Sequence, residues 1–321
     1  MKAVVCFKYG SPEALSIKEF DIPIPKDNEL LVRVRATTVN RTDCGLLWGK
    51  PLILRLFTGL SKPKTTITGT DFAGQTEAVG NNVTTFKVGD KVMGFDGMMG
   101  LRSHAEYLTI PESKAIKMPG NITYQQAAAC MEGALYAITP INRTKPKPGQ
   151  KALVNGATGA IGSAIVQFLR YYGVYITAVC GTENIALVKS LGANKIIDYK
   201  TSDFTKDTEK YDFVFDAVSK STFAKCKPLL TKNGIYIPSD LGPWAQNPFL
   251  VFITGISGGK KVIFPLPKDY RACMDFIIDL VEKGKFRPVI DRIYMLNKIA
   301  DAYTYVATGQ KTGNVIITMA E

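Results

Sequence analysis

Eight residues, Asn155-Gly156-Ala157-Thr158-Gly159-Ala160-Ile161-Gly162, constrain this chain more than any others. They follow a short apolar run, Ala152-Leu153-Val154, that reads as a buried strand. They open a segment with apolar residues at Ile161, Ile165, Phe168 and Leu169, the spacing of one helical face. Gly173 stops that helix, and residues 174–180 (VYITAVC) read as the next strand. A G-x-x-G-x-x-G turn set between strand, helix and strand predicts a dinucleotide site. Gly156 permits the tight turn, Gly159 lets backbone approach a pyrophosphate, and Gly162 lets helix and strand pack closely. The helix N-terminus then offers free N–H groups and a partial positive charge to the phosphates. The expected cofactor contacts here are Gly156, Ala157, Thr158, Gly159, Ala160, Ile161 and Gly162.

Downstream, residues 195–199, 211–216, 234–238 and 261–264 read as further strands, with helices ending at Gly192 and spanning 223–230. That count completes a doubly wound sheet. Residues 1–122 read differently, as short strands (3–5, 15–20, 30–36, 75–79, a strand after the turn at 86–94, and 103–108) broken by Gly and Pro. This predicts a β-barrel-like unit. Residues 39–43 turn into a short helix, Thr123 caps a helix over 123–137, residues 142–150 form a basic, proline-broken connection, and residues 268–283 form an amphipathic helix. Residues 48–62 (WGKPLILRLFTGLSK) are unusually apolar for a connection, which leaves two readings, a lid over an apolar site or packing on the core.

Composition narrows the class. With 321 residues, 46% of them hydrophobic, the chain can bury a large core or two ordinary ones. No apolar run approaches the ~18 residues of a membrane span, and the N-terminus lacks the pattern of a signal peptide. The six cysteines (Cys6, Cys44, Cys130, Cys180, Cys226, Cys273) are scattered singly without zinc or redox spacing, and most sit in apolar runs and read as buried thiols, as expected of a cytoplasmic protein. The +12 charge comes from lysines spread along the chain rather than from a basic block, so no nucleic-acid partner is expected.

The segments VNRTD (39–43), GTDFAG (69–74), KVGDKVMG (87–94) and HAEYL (104–108), followed by the glycine turn, resemble the medium-chain dehydrogenase/reductase superfamily. The match runs over essentially the whole chain, and it looks most like the zinc-free, quinone oxidoreductase-like branch. The resemblance implies an α/β fold: a GroES-like β-barrel-type catalytic domain from residues 1–122 and 265–321, and a doubly wound Rossmann cofactor domain over 123–264. Zinc-dependent members place Cys where this chain has Asn40 and His where it has Thr70; an amide and a hydroxyl are poor zinc ligands. Residues 94–103 (GFDGMMGLRS) replace the four-cysteine structural lobe without a cysteine. The single histidine, His104, reads as a strand residue rather than a proton donor, and no metal is expected.

Without a Lewis acid, alcohol oxidation is hard to support. Reduction of a conjugated carbonyl asks less: hydride reaches an electron-poor carbon, charge spreads to a distant oxygen, and a few hydrogen-bond donors steady it. The cofactor carries the hard step. The expected activity is NAD(P)H-dependent reduction of a small apolar quinone or α,β-unsaturated carbonyl. The rivals are an alcohol dehydrogenase and a cofactor sensor without turnover. On the resemblance, Asn40 orients the substrate carbonyl or the nicotinamide, and Asp43 either holds that network or caps a helix. Glu132, near the presumed cofactor cleft, reads either as a buried acid or, more commonly for a helix, as an exposed residue; Tyr303 and Tyr305 could supply phenol donors, though core packing is the commoner use of an aromatic. At the end of the second strand Gly181 and Thr182 leave room for a 2′-phosphate, and Thr182, Asn184 and Tyr199, with Lys200 alongside, are expected at the adenosine ribose. Glu183 is the dissenting residue, since an acid there suits NAD(H). The expectation is NADP(H), with NAD(H) left open. Gly313 and Asn314 are also assigned to the cofactor site by the resemblance. Pairing of the fifth and sixth strands with a second subunit predicts a homodimer.

Overall fold

The computed structural model describes residues 1–52, 55–97, 102–264, 266 and 269–319. It divides into Met1–Glu132 with Asp269–Glu321, and Gly133–Lys268.

The second unit is built on a parallel sheet of six strands. In spatial order they are Lys195–Asp198, Tyr175–Cys180, Lys151–Asn155, Tyr211–Asp216, Leu230–Pro238 and Lys261–Val262. Numbered along the chain this is the order 3-2-1-4-5-6, the doubly wound arrangement that binds ligands beyond the carboxyl ends of its strands. Parallel strands are buried on both faces, so they read as continuous apolar runs; Ala152, Leu153, Val154, Val214 and Phe215 are all buried. Helix Ala160–Tyr171 buries Ile165, Phe168 and Leu169 as its spacing predicts, and Gly173 follows its end at φ 70°. The helix expected over 223–230 is a single turn, Phe223–Cys226, followed by a 3-10 turn at Lys227–Leu229. Pro228 withholds an N–H there, which shortens it. Helix Gln246–Ser257 was not legible in the sequence: its residues carry no charge, so no polar face marked the helical period.

The first unit carries a seven-stranded sheet. Its path runs Ile290–Met295, Asn314–Thr318, Glu29–Val39, Asp71–Val79, Lys91–Phe95 and Ala115–Lys117, with Tyr107–Pro111 also paired to Glu29–Val39. Lys2–Cys6 and Leu15–Glu19 form a separate hairpin. Glu29–Val39 is the spine. Leu30, Val32 and Val34 alternate inward from it and meet Phe72, Leu47 and Tyr303 in one core.

The strand expected at 103–108 begins only at Tyr107. The backbone of His104 bonds elsewhere, its N–H to the Thr68 carbonyl and its carbonyl to the Val4 N–H. The helix expected over 123–137 is two, Tyr124–Ala129 and Glu132–Thr144. Thr123 caps the first as anticipated, its hydroxyl accepting from Gln126 N at 3.2 Å. The buried face of Tyr124–Ala129 packs on Glu29–Val39 and Asp71–Val79, which is why the division falls at Glu132 rather than at residue 122. All six cysteines are free and buried. In the 48–62 segment, Leu52, Leu56, Phe57 and Leu60 are exposed; Ile53 and Leu54 lie outside the described residues, as do residues 98–101 of the segment that replaces the cysteine lobe. Among the described residues no helix is long and apolar enough to cross a membrane.

Candidate active site and cofactor turn

Helix Arg41–Trp48 starts where Asn40 leaves the sheet in an extended conformation, φ −116°. The Asp43 carboxylate accepts the Asn40 N–H at 2.7 Å. Asn40 in turn donates its amide to the Thr38 hydroxyl at 2.6 Å. Thr38 donates its N–H and its hydroxyl to Asp71 at 2.8 and 2.6 Å. Alongside, the Thr70 hydroxyl donates to Glu132, which also takes hydrogen bonds from Thr42 and Asn40. Asn40, Asp43, Thr70, Asp71 and Glu132 are all buried, so this is a network inside the protein rather than on its surface.

Three carboxyls share that interior. Burial disfavours their charged forms, and each charge disfavours its neighbours. Burial first, then Glu132, pushes Asp71 up to about 7. The same two causes raise Asp43 well above the usual carboxylate range. Burial raises Glu132 against the hydrogen bonds from Thr42 and Thr70. Burial also lowers Lys311 to about 8, with Glu132 pulling the other way. Burial and mutual repulsion thus favour the protonated forms of all three carboxyls over their charged forms.

The sequence-predicted residues sort as follows. Asp43 caps the helix as one of its two readings had it, and the same hydrogen bond ties its carboxylate to the Asn40 backbone. Of the two readings of Glu132 the structure takes the buried acid and not the exposed residue: it stands just after the break at Cys130–Met131 with its carboxyl turned inward to Thr70. Asp71 and Lys311 were missed. The available signal for Asp71 was a lone acid in the weakly polar stretch GTDFAG; Lys311 had none. His104 is structural. Its Nε2 lies 2.9 Å from the Thr38 carbonyl, and its Nδ1 lies 2.8 Å from the Thr68 hydroxyl. The Thr38 carbonyl can only accept, so Nε2 carries the proton and the ring is neutral, in keeping with burial lowering it to about 4. Tyr303 is fully buried beside it and Tyr305 packs against the same core.

A cavity of about 260 Å³ opens in this unit, walled by Leu46, Leu47, Phe57, Ile67, Tyr9 and Tyr303, with Asp43 at its edge. Asp43 Oδ1 is buried and has no hydrogen-bond partner. Phe57 and Thr58 bring the apolar 48–62 segment into the cavity wall.

In the second unit the three glycines of the turn have different reasons to be glycine. Gly156 has φ 78°, and a Cβ there would lie 2.2 Å from the Val218 side chain. A Cβ on Gly162 would lie 2.0 Å from the Gly156 carbonyl oxygen, so only glycine allows helix and turn to meet. Gly159 is unconstrained: its φ of −68° suits any residue, and nothing but the Gly156 carbonyl, 3.9 Å away, comes near its Cβ position. It is also the N-cap of helix Ala160–Tyr171 and supplies no side chain to the first N–H groups. A clear approach to unsatisfied helix N–H groups suits a phosphate, so the turn fits the dinucleotide. Ala157 and Ala160 are buried, Thr158 and Ile161 half-buried.

Thr182, Asn184 and Tyr199 follow the next two strands at the same carboxyl edge of the sheet. The Thr182 hydroxyl donates to Asp198 at 2.5 Å, and Lys200 Nζ donates to Glu183 at 2.6 Å. The acid that favoured NAD(H) is thus paired to a lysine. Gly313 and Asn314 belong to the first unit. Gly313 has φ 80° and no room for a Cβ against the Val289 carbonyl, which also accepts from Asn314 N and Nδ2 at 2.8 and 2.9 Å.

Two family models match the chain, an alcohol dehydrogenase GroES-like domain over residues 26–120 and a zinc-binding dehydrogenase over residues 191–317. The chloroplast envelope quinone oxidoreductase homolog of Arabidopsis thaliana is 32% identical over 99% of this chain and 98% of its own length. The chain belongs to the quinone oxidoreductase-like branch of the medium-chain dehydrogenase/reductase superfamily. It is therefore a member of an oxidoreductase family with a nicotinamide cofactor and the expected GroES-like plus Rossmann-type architecture. The chloroplastic NADPH-dependent alkenal/one oxidoreductase of Arabidopsis thaliana is 30% identical over 99% of this chain and 79% of its own length. The fold is that of the quinone oxidoreductase from Coxiella burnetii, with TM-score 0.88 at 23% identity over 100% and 99% of the two chains. Zinc, implied by the name of one family model, does not fit this member. At the two ligand positions the Asn40 amide is given to Thr38 and the Thr70 hydroxyl to Glu132, and neither group is a good zinc donor.

Proposed function

We propose that this protein is a zinc-independent NADP(H)-dependent reductase of quinones or α,β-unsaturated carbonyls. One observation carries the reading: where zinc-dependent members hold a metal, this chain has a buried set of amide and hydroxyl donors, hydrogen-bonded among carboxyls, around Asn40. Such donors suffice for an oxyanion whose charge is spread by conjugation, and not for the alkoxide of an alcohol oxidation. A reduced nicotinamide supplies the hydride when bound. Gly159 and the N-terminus of Ala160–Tyr171 would hold the pyrophosphate. Asn40 would orient the substrate carbonyl, and the apolar cavity beside Asp43 suits a small apolar substrate. The Glu183–Lys200 pair supports NADP(H), because Lys200 offsets the acid and is exposed enough to turn to a 2′-phosphate. Six free, buried thiols support a reducing compartment such as the cytoplasm. A second copy pairing along Lys261–Val262, the edge of the parallel sheet, would give a homodimer.

The test is titration of metal-stripped protein with NADPH and with NADH, followed by a panel of quinones and enones while nicotinamide absorbance is recorded. NADPH oxidation without zinc supports the reading. Preference for NADH overturns the cofactor assignment and returns Glu183 to the ribose. Tight cofactor binding with no acceptor reduced favours the sensor instead.

A further inference from the structure

Residues 48–62 read from sequence as a lid or as core packing, yet the structure leaves Leu52, Leu56, Phe57 and Leu60 68%, 60%, 58% and 70% exposed. Large apolar side chains crowded into water mark an interaction surface. The fold holds this display in place. The Arg55 guanidinium lies 4.5 Å from the centre of the Tyr9 ring, and its Nε donates to the Gly49 carbonyl at 3.1 Å. The Tyr9 hydroxyl lies 2.8 Å from the Thr58 hydroxyl and donates to the Gly59 carbonyl at 2.7 Å. The Lys64 N–H donates to the Thr58 carbonyl at 2.7 Å and closes the loop. The charge here has one sign. From Cys44 to Thr70 the chain carries Lys50, Arg55, Lys62 and Lys64 and no acid. Lys50 and Lys62 are exposed on either side of the apolar residues in sequence, and Lys64 and Arg102 are exposed where they line the cavity. Phe57 is both exposed and part of the wall of that cavity of about 260 Å³, so it stands at the mouth.

We propose that Leu52, Leu56, Phe57 and Leu60, with Lys50 and Lys62, dock on an anionic lipid bilayer, and that the acceptor is a long-tailed quinone dissolved in it. The substrate half rests on the reductase reading. A nucleic acid would meet only the cations. A second copy would bring the same cations against them. An anionic bilayer satisfies both features at once, with acyl chains for the leucines and head-group charge for the lysines; each lysine near such a surface strengthens binding about fivefold. The cavity names the substrate. Its volume is below the roughly 300–1,000 Å³ of a site that encloses a drug-sized ligand, so it takes a quinone ring and leaves a long chain outside. A chain leaving past Phe57 emerges where the leucines put the bilayer. The quinone gains a hydride from the reduced nicotinamide and a proton from water, two electrons in all, and leaves as the hydroquinone.

The test is sedimentation of the full chain with vesicles of phosphatidylcholine alone and of phosphatidylcholine mixed with phosphatidylglycerol, at low and high salt. Wild type should bind the mixed vesicles, bind the neutral ones more weakly, and lose affinity as salt screens the lysines. Leu56→Glu with Leu60→Glu should weaken binding to mixed vesicles by about a hundredfold or more. Lys50→Gln with Lys62→Gln should weaken it by about thirtyfold, which carries the test if the leucine pair does not fold. None of these four residues lines the cavity. Both double variants should therefore reduce a water-soluble, tailless quinone at the wild-type rate, and a long-tailed quinone held in mixed vesicles more slowly, in step with the loss of binding. Wild type that stays in the supernatant with mixed vesicles at low salt overturns the proposal and leaves the reductase reading intact, as does wild-type vesicle binding by both folded variants. Wild type that binds vesicles but reduces no quinone, soluble or dissolved, overturns the reductase reading and the proposed substrate together.

Discussion

Replacing Gly159 by Val separates what the turn needs in order to fold from what it needs in order to bind. The backbone at Gly159, φ −68° and ψ 172°, lies in the extended region where Val is comfortable, and the nearest atom to its Cβ position is 3.9 Å away. The structural cost is the poorer N-cap, about 1 kcal/mol or less, which corresponds to a melting shift of roughly 2–4 °C in a unit of this size. Binding should suffer far more. An isopropyl group at this point stands between the helix N–H groups and a pyrophosphate. Losing two charge-assisted hydrogen bonds of about 1.5–3 kcal/mol each raises the cofactor Kd by at least about a hundredfold. Gly162→Ala provides the contrast. Its methyl would sit 2.0 Å from the Gly156 carbonyl oxygen, 2.8 Å from its carbonyl carbon and 3.0 Å from Ala157 Cα. All three are backbone, so the turn itself must move, at about 1–3 kcal/mol or more. Thermal melts with and without NADPH, together with fluorescence titration, read both quantities. A folded Gly159→Val with wild-type cofactor affinity would refute the assignment of the turn.

Asn40→Ala should lower turnover more than cofactor affinity; an equal loss in both, from steady-state kinetics and cofactor titration, would make Asn40 purely structural. Asp71 sits at about 7 in the folded protein against an ordinary 3.8. The folded state therefore holds a proton that the unfolded chain releases first, and stability is lost as pH rises from about 4 to about 7. The shift of about 3 units caps this at ~4 kcal/mol. His104 acts oppositely between about 4 and 6.5, since the unfolded chain binds its proton there, so the decline should emerge cleanly only above pH 6.5. Asp71→Asn should flatten it in urea unfolding across that range, and a wild-type curve that rises through neutrality would contradict the buried-acid description. Helix Gln246–Ser257 exposes Phe249, Phe252 and Ile256 near the edge strand. Phe252→Glu should shift the light-scattering mass toward a monomer, while a wild-type monomer at micromolar concentration would remove the dimer.

Sequence alone determined the parallel sheet, the glycine turn and the helix after it, and the alternating spine Glu29–Val39. Each is encoded by neighbours in the chain, through period-2 or period-3.6 burial and through turns that only glycine permits. It also determined that Asn40 and Thr70 carry an amide and a hydroxyl, poor donors to zinc, because donor chemistry is a property of the residue. Tertiary structure decided the rest. Helix Gln246–Ser257, uncharged on every face, carries no period to read. Glu132 looked like a solvent-facing helix residue until the break at Cys130–Met131 turned it toward Thr70, which lies 62 positions away in the chain. Asp43, Asp71, Glu132 and Lys311 are unremarkable where they stand in the sequence. Their altered proton affinities arise only when folding brings them together and removes water, because a charge is perturbed by what surrounds it in space and not by its neighbours along the chain.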